Sequence, residues 1–424
     1  MIGCSLAGSR PAASGGSDLL AATPPLPLTA PAPFAPLPYA TNLPLPTEPV
    51  PTERPSPTPL PTVTPTISLE NLRKTPTPET TVMGHGLSLP PGFKVTVYAQ
   101  GLQSVAYMAY GAQDVLYASL PGRGAVVAMR HSDEKGESRD LRVFAQGLTT
   151  PTGLAFRDGY LYVAEGNRVV RYLCGLGQLE ANGPPQVVVP NLPVGTGLNN
   201  HPIGFGPDGK LYVGIGATCN ACRETDYRRA TIMRYNPDGT NEEIYAQGLR
   251  DVEGFAWYPN TGQLLASNCS RLRMGPDLPP DTLEYVFQGA NFGWPFCHAG
   301  EFPDPELGWP EACDGVPRPF QSFGAQTSPR GVCVYTGDQF PADYYGDIFV
   351  ALYGSWERWI PVGYKIVRLD IENGIVIGQE DFCSGWLYMM QAWGRPAAVL
   401  QGVDGSLLVA DDKAGAIYRI SYQP

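Results

Sequence analysis

Four histidines are the only side chains here whose ordinary pKa lies near neutrality, which makes them the first candidates for proton transfer. His85 borders a proline-rich stretch and His131 opens a charged turn, HSDEKGE. His201 lies in NNHPIGFGPDG just before Pro202, and His298 adjoins Cys297. The nine cysteines offer a second chemistry. Cys219 and Cys222, in CNAC, have the spacing of a redox or metal pair, but no second CxxC or nearby histidine completes a zinc site, so a disulfide closing a short loop is expected. Cys297 and Cys313 flank a loop rich in proline and acidic residues, and a bond between them would staple it. Setting Cys4 aside leaves an even number, as expected of a disulfide-bearing exported body; the pairing of Cys174, Cys269, Cys333 and Cys383 stays open.

The elements that must position these groups repeat six times. The phrases LYAS (116–119), LYVA (161–164), LYVG (211–214), LLAS (264–267), IFVA (348–351) and LLVA (407–410) each follow a turn such as RDG, GPDG or GVDG. A short apolar run, such as GLAF or GFAW, precedes the turn, and a further strand often follows, such as RVVRYL or KIVRL. Short strands and Gly/Asp turns recurring every 40–60 residues or so point to an all-β, six-bladed β-propeller, which gathers loops from distant parts of the chain at one axial mouth. FKVTVYAQGL (93–102), LRVFAQGL, VVVPNLP and EEIYAQGL read as outer strands of blades. The first has no blade before it and the last repeat has no outer strand after it, so 93–100 is expected to complete the final blade and close the ring. The Pro/Gly-rich interval 291–320 reads as a loop insertion, with a seventh blade as the alternative.

Composition narrows the class. Residues 21–80 hold 18 of the 45 prolines, a density that favours an extended, solvated chain. The expected organisation is therefore 1–20 as the remnant of an export or lipoprotein signal, 21–84 as a disordered linker, and 85–424 as the propeller. The opening Met-Ile-Gly-Cys resembles the end of a bacterial lipoprotein signal without its charged and apolar regions, so Cys4 is the expected lipid anchor and the location extracytoplasmic. The net charge of −11 with no basic stripe argues against a nucleic-acid partner. No apolar run of 18 or more residues spans a membrane.

Four loop regions carry a more specific signal: GTGLNNHPIGFGPDGKLYVGIGATCNAC (195–222), GLRDVEGFAW (248–257) with GPDLPPDTLEYVFQGANFGWP (275–295), the stretch 335–369 with its GSWERWIPVGYK, and WGRPAAVLQGVDGSLLVADDKAGAIYRI (393–420). Together with LPPGFKVTVYAQGL (89–102) they resemble the soluble quinoprotein glucose/sorbosone dehydrogenase family over essentially all of 88–422. The resemblance implies pyrroloquinoline quinone and calcium as cofactors, a sugar or aldehyde substrate, an external electron acceptor and a histidine base. A tricarboxylate cofactor calls for arginine and lysine, and calcium for oxygen ligands.

Carried onto this chain, the resemblance makes Arg250 the arginine facing the quinone and places Asp251 where the family usually has asparagine. Lys365 of GYK and Arg395 of WGRP are candidates for the cofactor's carboxylates, and Gly275, Pro276 and Asp281 fall in the loop resembling the calcium-binding turn. Tyr353 stands where relatives often carry histidine. The family's catalytic histidine sits eight residues before the glycine of the GPDG turn; counting back from Gly206 reaches Leu198, or Gly197 with one insertion. His201, three residues late, is the only base in reach and the expected catalytic residue beside Arg250. The reading is thus a quinone-dependent sugar or aldehyde dehydrogenase. Its alternative is a propeller that lost the base and binds a carbohydrate or protein; a lactonase-type hydrolase would need a cluster of metal-binding carboxylates at the axis.

Overall fold

The repeated phrases form the second strand of each of six four-stranded antiparallel units in the computed structural model, which describes residues 79–131, 136–195 and 197–423. Cys4, residues 1–20 and most of the expected linker lie outside the described residues. Blade one runs Met108–Tyr110, Val115–Leu120, Ala125–Arg130, Arg139–Gln146. Blade two is Leu154–Arg157, Tyr160–Glu165, Arg168–Leu173, Gln186–Val189. Blade three is Ile203–Phe205, Leu211–Ile215, Thr231–Tyr235, Glu243–Gln247. Blade four is Val252–Trp257, Leu264–Asn268, Thr282–Val286 and the two-residue Gln321–Ser322. Blade five is Pro329–Val334, Ile348–Leu352, Lys365–Glu372, Ile375–Cys383.

Blade six combines Pro396–Gln401, Leu407–Asp411 and Ala416–Tyr422 with Phe93–Gln100, which pairs antiparallel from Phe93↔Tyr422 to Gln100↔Ala416. The ring therefore closes as the strand census required. Six apolar clusters each join neighbouring blades, one of them joining blade six to blade one through Tyr98, Leu102, Met108, Leu116 and Ile417. This explains why the second strands read as unbroken apolar runs: both of their faces pack, and Val115–Leu120 is buried at every position.

Residues 291–320 add no blade. Ala290–Asn291 pairs parallel with Glu243–Gln247 of blade three, and the Cys297–Cys313 disulfide closes the loop beyond it. Cys219–Cys222 forms the second disulfide, while Cys174, Cys269, Cys333 and Cys383 are free thiols, so half of the even set stays reduced. Glu79–Val82 and His85–Ser88 form a hairpin that starts six residues before the expected boundary at 85. Val82 and Leu87 join the core between blades five and six, which explains why this end of the proline-rich stretch is structured.

Candidate functional site

Side chains from five blades converge where the innermost strands begin. Glu253 lies where the first strand of blade four shifts register between Val252 and Gly254, so it has no cross-strand partner. Register shifts of this kind re-aim a side chain. The same irregularity follows Pro329 in blade five, at Arg330, and Pro396 in blade six, beside Arg395. The Glu253 carboxylate accepts from Asn200 Nδ2 at 2.8 and 3.0 Å and from the Tyr107 hydroxyl at 3.4 Å, with Arg330 Nε 3.6 Å away. The Arg330 guanidinium sits 3.6 Å from the centroid of the Tyr353 ring, whose hydroxyl donates to Asp412. Burial alone would lower the Arg330 pKa; Glu253, Tyr353 and Tyr107 overcome this and hold it above its ordinary value.

Asp251 is buried beside this network. Burial, then the Glu253 carboxylate, push its carboxyl well above the ordinary range, against the pull of Arg250 and Arg330. It therefore keeps its proton where an ordinary aspartate has lost one. One of its oxygens, Oδ1, is buried without a hydrogen-bond partner. The charge that this aspartate would add in place of asparagine is thus largely suppressed by its surroundings.

The structure separates the other expected residues. His201 is fully buried: Nδ1 lies 3.0 Å from the Gly214 carbonyl, its backbone carbonyl accepts from Gly153 of blade two, and Nε2 has no hydrogen-bond partner. Burial lowers its pKa, opposed by the Gly214 and Gly166 carbonyls. A base must reach the proton it takes, and this ring presents no surface to a substrate. Lys365 pairs with Asp381 at 2.7 Å. Asp281 is buried, its two oxygens accepting from the Ser270 and Ser328 backbone N–H groups at 2.8 Å each; burial raises its carboxyl to about 6. Gly275 and Pro276 line a separate pocket with Arg273, Gln326, Glu357, Arg358, Trp359 and Ile360.

Arginine is what the mouth gathers. Arg250 donates to the carbonyls of Asn220 (3.2 Å), Cys269 (3.4 Å) and Ser270 (3.1 Å). Arg395 donates to the carbonyls of Gly354 (3.1 Å) and Ser355 (3.2 Å) and to the Tyr364 hydroxyl, and it lies over the rings of Tyr353 and Trp356. Arg229, which the sequence reading missed, donates to the carbonyls of Leu198 (3.2 Å) and Gly216 (3.1 Å). Leu198 is the position where the family's base was expected, and it serves here as a carbonyl acceptor. Among the described residues none of these three arginines has a carboxylate at ion-pair distance. Carbonyl dipoles orient a guanidinium but do not neutralise it, so each of these three arginines keeps its attraction for an anion.

Arginine is the residue type that the carboxylates of the expected quinone call for; of this set Arg229, Arg250 and Tyr353 are buried, while Arg395 is half-buried against the exposed ring of Trp356. The expected calcium residues do not fit a calcium ion. The Pro276 carbonyl accepts from Arg358, both Asp281 oxygens hold backbone N–H groups, and the nearby carboxylates Glu357 and Asp277 are paired with Arg273 and Arg358. Two of the missed residues leave a trace in the sequence, a glutamate immediately before GFAW and an arginine opening RGVCV in blade five. Reading them required knowing that both strands start at the axis.

The glucose/sorbosone dehydrogenase family model matches residues 191–419. An uncharacterised protein of Borreliella burgdorferi is 31% identical over 222 residues, which are 50% of this chain and 58% of that protein, so the chain spans little more than half of that relative's length. Among solved structures, a Trichoderma reesei protein of carbohydrate-active enzyme family AA12, in a calcium structure, superposes with a TM-score of 0.71 at 17% identity, covering 82% of this chain and all of the other. The holo PQQ domain of Coprinopsis cinerea pyranose dehydrogenase gives 0.68 at 15%, covering 81% and 98%. The PQQ-bound aldose sugar dehydrogenase of Streptomyces coelicolor gives 0.55 at 19%, covering 79% and 99%. At these identities the likeness is one of fold.

Proposed function

The chain belongs to the glucose/sorbosone dehydrogenase family, and from that premise we propose that its axial mouth binds pyrroloquinoline quinone and oxidises a sugar or aldehyde, passing the electrons to an external acceptor. The observation that carries this reading is the set of three arginines, Arg229, Arg250 and Arg395, fixed by carbonyls and left without carboxylate partners. When bound, the quinone would supply the hydride acceptor. Arg229, Arg250 and Arg395 would hold its carboxylates, and Trp356, 67% exposed, would present a ring face to it. In this reading the Asp251–Glu253 pair rather than His201 takes the proton of the substrate hydroxyl, by way of the half-buried Tyr107 hydroxyl that donates to Glu253, because both carboxylates are themselves buried. Asn200 and Tyr107 hold the Glu253 oxygens by hydrogen bonds, and Asp251 keeps the proton already on the pair.

The test is calorimetric titration of the full chain with pyrroloquinoline quinone, then dye reduction with a panel of aldoses and aldehydes. Saturable binding and turnover that survives His201→Ala but falls with Glu253→Gln are expected. No quinone binding overturns the reading. The alternative of a propeller that binds without oxidising is favoured by one observation, the leucine at position 198, and quinone binding without turnover on any of the panel would select it. Two disulfides support a location outside the cytoplasm. Attachment through Cys4 belongs to the same proposal, and labelling with a radioactive fatty acid tests it: label lost in Cys4→Ser supports it, and no label in the parent chain overturns it.

A further inference from the structure

The CNAC motif has a chemistry that the proposed function does not use. Its two cysteines form a disulfide, with Cα atoms 6.1 Å apart, on the loop between the second and third strands of blade three. The sequence offered no further ligand beside the pair, but the folded loop supplies one. A carboxylate oxygen of Glu224 and the two sulfurs lie within 4.8 Å of one another. Among the described residues no other trio of histidine, cysteine, aspartate or glutamate ligand atoms comes together in this way. All three residues are half-buried, so solvent and ions reach the pair. The Cys297–Cys313 disulfide differs, because Cys297 is fully buried and no third ligand joins it.

Glu224 is fixed in place without being neutralised. The Thr218 backbone N–H and hydroxyl donate to its two oxygens at 2.6 and 2.8 Å, and the same hydroxyl lies 3.8 Å from the Cys222 sulfur. Each oxygen keeps a further lone pair. Among the described residues no cation stands at ion-pair distance from it: Arg228 pairs with Asp226 at 2.8 Å, Arg223 lies over the Phe296 ring, and Arg229 donates to carbonyls. Two thiolates and a carboxylate select a thiophilic divalent cation over calcium or magnesium, and three protein ligands leave a fourth tetrahedral position to water. The same loop anchors the mouth. Asn220, between the two cysteines, accepts from Arg250 at 3.2 Å and exchanges hydrogen bonds with the Leu272 backbone at 2.8 and 2.9 Å. An ion held by both sulfurs closes the same ring that the disulfide closes.

We propose that Cys219, Cys222 and Glu224 form a redox-gated site for a zinc-class divalent cation, closed in the disulfide form and open in the dithiol form. Exchange with an external dithiol opens it: the disulfide takes up two electrons and two protons, and the reductant leaves as its own disulfide. The cation then displaces both thiol protons to solvent. Cation binding stands independently of quinone, and only the effect of the ion on Arg250 rests on the dehydrogenase reading. The test reduces the full chain with a phosphine, removes the reductant under argon, and verifies the opened 219–222 pair by peptide mapping. Titration with Cd2+ then follows cadmium–thiolate absorption in the ultraviolet, with Zn2+ as competitor. The reduced chain should bind Cd2+ about a hundredfold or more tighter than the oxidised chain, and Zn2+ should displace it. Replacing both Cys219 and Cys222 by serine should abolish this binding. Glu224→Gln, which still accepts from Thr218, should weaken it by about tenfold or more, as loss of even an outer partner of a metal does. A pair that stays oxidised in excess phosphine, no thiolate absorption after reduction, absorption undiminished in the serine variant, or unchanged affinity in Glu224→Gln would overturn the proposal. Quinone binding by the oxidised chain is measured separately, so loss of the metal site and loss of the dehydrogenase reading give different results.

Discussion

The blade flanks and the axial mouth use arginine in opposite ways. On the flank of blade five, Arg368 meets Asp347 at 2.5 Å and Glu380 at 3.1 Å, and Arg271 of blade four meets both Asp304 and Glu306 of the inserted loop. At the mouth, Arg229, Arg250 and Arg395 meet carbonyls and a hydroxyl. A buried guanidinium paired with carboxylate is a finished structural unit, whereas one held by neutral dipoles still attracts an anion. The difference teaches where to look for a ligand in a propeller whose expected histidine is buried.

The comparison breaks most visibly on the flank. Arg368→Ala strands the buried Asp347 carboxylate, and a loss of about 3–5 kcal/mol in urea unfolding is expected, with quinone affinity unchanged; a stable variant would mean that the flank pairs are as dispensable as exposed ones. Next in size is a carboxyl with no cation at all. Glu284 in blade four is buried, its Oε2 has no partner, and burial raises its carboxyl from 4.5 to about 7. The folded chain therefore binds the extra proton between those values, so stability falls as pH rises through that window and is lowest above 7. Glu284→Gln should unfold like the parent near pH 4.5 and be more stable by about 3 kcal/mol at pH 8. A pH-independent difference would overturn the assignment.

At the mouth the effect moves from folding to binding. Arg395→Ala should weaken quinone binding on the order of a hundredfold while shifting the unfolding midpoint little, because no carboxylate is left stranded. A large stability loss with intact binding would erase the distinction between mouth and flank. Smallest is the disulfide that holds the mouth from outside. Asn220, inside the Cys219–Cys222 loop, offers its carbonyl to both Arg250 and the Trp294 indole. Replacing both cysteines by serine should cost about 2 kcal/mol by the loop-entropy relation and red-shift Trp294 emission as the loop loosens. Unchanged emission would mean that the bond does not fix this corner.

Periodicity alone carried the architecture. Six turn-and-strand phrases counted the blades, and the unpaired FKVTVYAQGL at one end of the repeat array required the closure that pairs Phe93 with Tyr422. Arg250, Asp251 and Arg395 could be proposed from the sequence because each follows a recognisable phrase near the start of an inner strand. Arg229, Glu253 and Arg330 were not, since their roles depend on which blades meet at the axis and on register shifts that no local pattern reveals. Lys365 shows the converse: its motif is intact, yet a cross-strand neighbour, Asp381, claims its charge.

The chain's own pattern determined the fold, the family and the two disulfides, because strand alternation, turn residues and short cysteine spacings act over a few residues. Only the closed ring decided which charges are matched, that His201 is buried against the Gly214 carbonyl, and that Asp251 keeps a proton beside Glu253. Protonation and charge compensation depend on distance and burial in three dimensions, and here those distances join residues from five blades that are far apart in sequence.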